Sequence, residues 1–193
     1  MLDKKQREAA VMRWFWFFMV YSFLGFLLEV LFARVTHHPK RDRKCFYFLP
    51  LCPVYGLGAL AILALPSAVK SRPLLLILCA AGAATGAEYL VSLFYDRLFH
   101  VSFWDYSHLP FHIRGRVCLL FSLFWGLLGA VLVHAVHPAV SRAVDSIPSG
   151  ALIPALLFLA LDTGFTFYVL RREGSTDALR WYRRLPLFRP RTS

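Results

Sequence analysis

Three carboxylates lie inside long apolar stretches of the chain, where an ionisable side chain is costly. Glu29, Glu88 and Asp162 each interrupt a run of mostly hydrophobic residues. Placing such a group in the hydrocarbon of a membrane costs at least about 2.5 kcal/mol. We therefore expect each acid to face a bundle interior or a water-filled cavity, where it can hold a proton, a cation or a basic side chain.

A polar connection between two apolar stretches carries further groups that could act with these acids. Residues 100–122, HVSFWDYSHLPFHIRGRVCLLFS, contain two arginines and a Trp-Asp-Tyr triplet: Arg114, Arg116, Trp104, Asp105 and Tyr106. A guanidinium can neutralise a carboxylate or bind a phosphate. The aromatic residues are typical of a membrane interface, and Asp105 could cap a turn. We predict that this connection forms the rim of a polar cavity, with at least one arginine facing the buried acids.

Small and hydroxyl-bearing residues accompany the acids at helical spacing. Ser22 precedes Glu29 by two turns, and Ser92 follows Glu88 by one turn. Pairs of small residues that would let another helix approach closely are Gly82 with Gly86, and Ser122 with Gly126. These patterns predict a compact bundle with a polar interior to which Ser22, Ser92 and Ser122 contribute.

Histidine and cysteine do not form a metal-binding pattern. His108 and His112 are four residues apart, but Pro110 between them strains a helical ligand pair. The four cysteines show neither a C-x-x-C motif nor another ligand spacing. Neither a metal nor a cofactor is predicted.

The elements that must position these residues are indicated by composition. The 193 residues are 58% hydrophobic and only 17% charged, which is typical of a polytopic membrane protein. The net charge of +11 comes from basic residues that lie between the apolar stretches. This distribution predicts contact with the lipid bilayer, and with anionic lipid at the basic loops, and argues against nucleic-acid binding.

We predict an all-α, polytopic membrane helix bundle of about five transmembrane helices. Since a span needs about 20 apolar residues, five segments qualify: 14–34, 48–69, 74–95, 117–136 and 151–170. In the second, Pro50 and Pro53 predict a broken or re-entrant beginning. The spans form one predicted domain, 1–172, with an interfacial loop or short helix at 96–116 and a basic amphipathic or disordered tail at 173–193.

The basic residues also predict an orientation. With five spans, seven Lys and Arg lie on the side of the N-terminus and fifteen on the side of the C-terminus. The positive-inside rule then places the N-terminus outside and the C-terminus in the cytosol. Five spans are few for a complete transporter, so we expect a homo-oligomer.

Several stretches of the chain resemble the CmpB-type ABC-transporter (type IV) permeases, which are small proteins of the bacterial cytoplasmic membrane. The resemblance covers residues 14 to 170 and is carried by YSFLGFLLEV, FLPLCPVYGLGA, AEYLVSLFYD, FWDYSHLPFHIRGRVCLLFSLFWG and LDTGFTF. It implies that Tyr55, Tyr89 and Trp125 join the predicted cavity residues. The family label also implies a separate ATPase subunit, because the chain contains no G-x-x-x-x-G-K-[ST] motif.

Three functions fit these patterns. The favoured one is a transporter or permease-like protein, in which the three acids handle a cation, proton or small polar solute under the control of the arginine pair. A membrane-embedded enzyme would instead bind a lipid or other phosphate-bearing substrate through Arg114 and Arg116 at the cytosolic interface, with Asp105 or Glu88 as base. A non-catalytic membrane subunit or scaffold would use the polar rows to bind partner helices.

Overall fold

The protein is a bundle of α-helices in the computed structural model, which describes residues 4–36 and 44–181. The helices are α1 (Lys4–Val35), α2 (Pro53–Leu63), α3 (Ser67–Lys70), α4 (Pro73–Phe99), α5 (Leu119–Val131), α6 (His137–Asp145) and α7 (Leu152–Glu173). A π-helical turn, Leu132–Val136, joins α5 to α6, and 3-10 turns occur at Ser149–Ala151 and Thr176–Leu179. Strands β1 (His112–Ile113) and β2 (Val117–Cys118) form an antiparallel pair.

Four helical stretches are long and apolar enough to cross a membrane: Gln6–Val35, Pro73–Phe99, Leu119–Asp145 and Ser149–Glu173. Their length and composition confirm the predicted all-α membrane helix bundle. The predicted second span, 48–69, differs from the others. Its helix α2 has 11 residues, about 16 Å of rise against a hydrocarbon core of about 30 Å.

The short helix α2 begins where the two prolines predict. Pro53 occupies its first turn, where the missing N–H costs no helical hydrogen bond, and Cys52 before it is extended. Residues 44–52 ahead of it form neither helix nor strand. The second passage of the chain through the bundle is therefore part irregular segment and part helix.

Helix α2 runs antiparallel to α1 and returns the chain to the side where α1 starts. Tyr55 near the start of α2 contacts Glu29 near the end of α1. Leu63 at the end of α2 shares a small cavity with Trp14 near the start of α1 and with Lys70, which precedes α4. Helices α1 and α4 consequently run in the same direction, as the sequence predicts.

Close contacts between helices depend on a subset of the glycines. A Cβ atom built on Gly25 of α1 would lie 2.2 Å from the Tyr55 Cβ, and one on Gly126 of α5 would lie 2.7 Å from a carbonyl oxygen of α4. Gly126 therefore has the packing role predicted for it. Gly82 and Gly86 do not, since no described atom lies within 4 Å of where their Cβ would be.

The connection before α5 is described throughout, whereas the predicted tail is described only in part. The connection before α5 contains the β1–β2 hairpin in place of a short interfacial helix. At the start of the predicted tail, Leu179 is fully buried and the Trp181 indole donates to the Tyr47 carbonyl. The rest of the tail, 182–193, and the basic residues of 37–43 lie outside the described residues.

Candidate functional site

Two of the three buried acids converge on one cavity of about 380 Å³. Glu29 of α1 accepts a hydrogen bond from the Tyr55 hydroxyl at 2.9 Å. Glu88 of α4 accepts from the Trp125 indole and from the Tyr106 hydroxyl, both at 3.0 Å. Both carboxylates are buried and face the cavity. Glu29 and Glu88 line the same cavity because the parallel helices α1 and α4 place them near the same end.

Helix α2 lies between the two acid-bearing helices and supplies the wall that joins them. The absence of a side chain at Gly25 lets Tyr55 pack directly on α1. From there, the Tyr55 ring reaches the Trp125 ring of α5, with 4.9 Å between their centroids. The aromatic side chains of Tyr55 and Trp125, which donate to the two carboxylates, therefore connect four helices, α1, α2, α4 and α5.

Apolar side chains complete the cavity wall. They come from α1, from the irregular segment and from α5, and include Leu28, Phe32, Cys45, Cys52, Phe121, Phe124, Leu127 and Val131. Their positions could not be predicted from the sequence, because an apolar residue in a span has the same pattern whether it faces lipid or a cavity. Of the described residues that line the cavity, the two that carry carboxylates are Glu29 and Glu88.

The connection between α4 and α5 covers the cavity at the end nearest the acids. Trp104 and Tyr106 line the cavity. The Trp104 indole donates to the carbonyl of Arg116, and the Tyr106 backbone N–H donates to the carbonyl of Gly115, both at 2.8 Å. The two hydrogen bonds join the Trp-Asp-Tyr triplet at 104–106 to the Gly-Arg pair at 115–116. The connection held together in this way forms the rim of the cavity.

Asp105 supports this rim from outside the cavity. Its carboxylate accepts from the backbone N–H and the hydroxyl of Ser107, at 2.9 Å each, and these bonds hold the pKa of the exposed Asp105 carboxyl below its usual range. Its Oδ1 also lies 2.4 Å from where a Cβ on Gly115 would be. Gly115 has a φ of +67°, so both space and backbone conformation require glycine there.

The two arginines are not brought to the buried acids. The Arg116 guanidinium forms an ion pair with Asp96 and lies over the Tyr89 ring, 5.9 Å from its centroid. Asp96 is about 12 Å further along α4 than Glu88. Arg114 is exposed, in a turn where its φ is +52°. The geometry therefore does not support the arginine gate that the sequence suggested.

Asp162 has a different role from Glu29 and Glu88. Its carboxylate accepts hydrogen bonds from the backbone N–H groups of Tyr47, Phe48 and Leu49, at 2.7 to 3.2 Å. Irregular backbone at membrane depth needs such partners, since no water is available there. The predicted cavity role for Asp162 is replaced by a structural one, in which it holds the irregular segment against α7.

The predicted serines lie at helix contacts. Ser22 is buried against Gly56 of α2. A Cβ atom built on Gly56 would lie 2.2 Å from the Ser22 Oγ. Ser122 accepts from the Thr85 hydroxyl of α4 and donates to a carbonyl within its own segment. Ser92 is buried along α4. The cavity therefore brings together six of the predicted residues, Glu29, Tyr55, Glu88, Trp104, Tyr106 and Trp125, and leaves the others outside its lining.

The described residues contain four long apolar helical stretches and an irregular segment whose N–H groups donate to Asp162, and together they define a polytopic α-helical membrane protein. Within the described ranges there is no group of three or more His, Cys, Asp or Glu positioned to hold a metal ion. Residues 16–168 match the family described as "Putative ABC-transporter type IV", the CmpB type, and the chain belongs to that family. No curated protein and no solved structure matches the chain. The family and the apolar helices together make it a transporter-like membrane protein.

Proposed function

We propose that the protein is the membrane subunit of a transporter and that its cavity binds an organic cation between Glu29 and Glu88. The observation that supports this most directly is the convergence of two carboxylates, from separate helices, in one buried space. Charge interactions are strong where water is scarce, so a cation that reaches both carboxylates is stabilised more than it would be in solution.

The chemistry of the wall favours an organic cation over a small metal ion. Hard metal ions require about six or more oxygen ligands. The described wall instead presents two carboxylates among Tyr55, Trp104, Tyr106 and Trp125. Aromatic faces attract alkylated ammonium or phosphonium groups without removing water from a compact charge.

The wider assembly forms part of the same proposal. We propose that the subunit sits in the bacterial cytoplasmic membrane with the rim at 100–118 toward the cytosol, as the count of basic residues favours. Energy would come from a separate ATPase, because the chain carries no phosphate-binding loop of its own. More than one copy would form the complete pathway.

Binding of tetraphenylphosphonium to the purified protein tests the cation site. We expect the cation to bind and tetraphenylborate, which has the same shape and the opposite charge, to fail to displace it. Glu29→Gln and Glu88→Gln should each weaken binding at least tenfold, measured by scintillation proximity with the radiolabelled cation. Glu173→Gln is the matched control, because it removes one exposed carboxylate at the end of α7.

Unchanged affinity in the double variant Glu29→Gln/Glu88→Gln would show that the cavity acids do not bind cations. Equal weakening by Glu173→Gln would show that only the overall charge of the protein matters. Either result removes the proposed function.

A further inference from the structure

A second cavity, of about 320 Å³, lies at the end of the bundle opposite the rim. It is bordered by α1, the end of α2, the connection that contains α3, and the helical stretch from α5 to α6. Its described lining consists of Trp14, Phe17, Leu63, Ser67, Lys70, Val133 and His137. A cavity of roughly 300–1,000 Å³ with a few polar groups in an apolar wall is typical of a small-molecule site.

Helix α6 packs on α1 and brings His137 into this cavity. Pro138 at the beginning of α6 lacks an N–H, and the chain before it forms the π-helical turn Leu132–Val136. The Tyr21 hydroxyl of α1 lies 2.9 Å from the His137 Nδ1, and the Phe17 ring packs edge-on against the imidazole, with 5.0 Å between centroids. With the hydroxyl as donor, the neutral imidazole carries its proton on Nε2 and can donate it to a ligand.

Lys70 gives the cavity a positive charge. Its ammonium group donates to the Leu63 carbonyl at 2.8 Å, which uses one of its three N–H bonds. Asp145, the acidic residue of α6, pairs instead with Arg13 of α1, and 2.9 Å separates its Oδ1 from the Arg13 Nε. The charge of Lys70 is therefore available to an anion that enters the cavity.

The position of the cavity along the helices suits a ligand from the membrane surface. Trp14 and Val133 belong to the stretches Gln6–Val35 and Leu119–Asp145, of 30 and 27 residues. Their lengths of about 45 and 40 Å exceed a hydrocarbon core of about 30 Å, so their ends extend among the lipid headgroups. Tryptophan is enriched in this interfacial region. Apolar parts of a ligand can contact Trp14 and Phe17 while its polar part reaches Lys70.

We propose that this cavity binds the phosphate group of a phosphate ester, with Lys70 as the principal contact and Ser67 and His137 as further donors. These donors come from α3 and α6, on separate sides of the space. A phosphate presents oxygens in several directions, whereas a carboxylate presents two in one plane, so donors from separate elements favour phosphate. A phospholipid headgroup and a soluble phosphate ester share this chemistry. The site is independent of the proposed cation site.

Native mass spectrometry of the full-length protein in detergent tests the site with three ligands: phosphatidylglycerol, diacylglycerol with the same chains, and glycerol 3-phosphate. We expect phosphatidylglycerol to bind at least about tenfold more tightly than diacylglycerol, as one charged hydrogen bond provides. Lys70→Gln should weaken binding of the phosphate ester by about the same factor, and Ser67→Ala by about threefold. Arg72→Gln is the matched control, because it removes an exposed cation from the same connection without changing the cavity lining.

Comparison of the ligands identifies the source of the phosphate. Tight binding of phosphatidylglycerol with weak binding of glycerol 3-phosphate assigns the site to a membrane lipid, and comparable binding of both assigns it to a soluble ester. The proposal is wrong if neither ester binds, if diacylglycerol binds as tightly as phosphatidylglycerol, or if Lys70→Gln weakens binding no more than Arg72→Gln does. If Lys70→Gln lowers the melting temperature, Ser67→Ala decides, since Ser67 is exposed: unchanged affinity in that variant refutes the site.

Discussion

The structural role of Asp162 gives a quantitative prediction. The carboxylate accepts from the backbone N–H groups of Tyr47, Phe48 and Leu49, and the Tyr47 N–H also contacts the Thr166 hydroxyl at 2.9 Å. Asp162→Ala therefore deprives the part-buried N–H groups of Phe48 and Leu49 of their acceptor, at about 1–3 kcal/mol each. We expect the free energy of unfolding to fall by about 2–6 kcal/mol, a large part of the roughly 5–15 kcal/mol typical of a folded protein.

The conservative variant narrows the prediction. In Asp162→Asn, one oxygen still accepts from Phe48, but the group facing Leu49 becomes an amide donor. One N–H loses its acceptor, so we expect a loss of about 1–3 kcal/mol. Tetraphenylphosphonium affinity should be unchanged in this variant, because Asp162 lies outside the cavity lining.

Unfolding by sodium dodecyl sulfate in mixed micelles, followed by circular dichroism, measures these free energies. Thr163→Val is the control, because the Thr163 hydroxyl bonds only to the Leu159 carbonyl within its own helix. Its effect should stay within about 0.5 kcal/mol. If Asp162→Ala were no more destabilising than Thr163→Val, the carboxylate would not be what holds the irregular segment, and the reasoning would fail.

Three further predictions concern the packing and the rim. Gly25→Ala should lower thermal stability and cation affinity, because the added Cβ would overlap Tyr55. Gly86→Ala is the control, since its Cβ would meet open space and should leave both properties unchanged. Thermal-shift and probe-binding assays measure these effects, and equal effects of the two variants would contradict the prediction. Gly115→Ala should loosen the rim, through its positive φ and the nearby Asp105 oxygen, and weaken cation binding several-fold without unfolding the helices. Because hydrogen bonding lowers the Asp105 pKa, its stabilisation of the rim is complete above the usual carboxyl value of about 3.9 and is lost as pH falls through the lowered value. The rate at which pepsin cleaves the rim should therefore rise as the pH falls through the lowered pKa of Asp105. In Asp105→Asn this pH-dependent rise should be absent. If the rise persisted in that variant, Asp105 would not be the group that stabilises the rim.

The irregular segment 44–52 connects fold and function. It contributes Cys45 and Cys52 to the cavity wall and is fixed at Tyr47, Phe48 and Leu49 by Asp162 of α7. Helix α7 thus contacts the cavity wall through this segment, and it also packs on α4, where Phe167 meets Phe94 and Phe99.

The class of the protein could be predicted from sequence because it depends on local properties. Runs of apolar residues long enough to span a bilayer specify membrane helices wherever they occur, and Pro50 with Pro53 marks the break before α2 without reference to the rest of the chain. The resemblance over most of the chain indicated the family for the same reason, since its motifs are contiguous stretches.

The partners of the polar residues were decided only by the tertiary structure. Glu29, Glu88 and Asp162 give the same signal in the sequence, but only Asp162 meets the unpaired N–H groups of an irregular segment, and that meeting depends on how α7 packs. Arg116 pairs with Asp96 because the hairpin turns the arginine back toward the end of α4. A sequence specifies that a buried charge needs a partner, whereas the partner is fixed by which helices are neighbours.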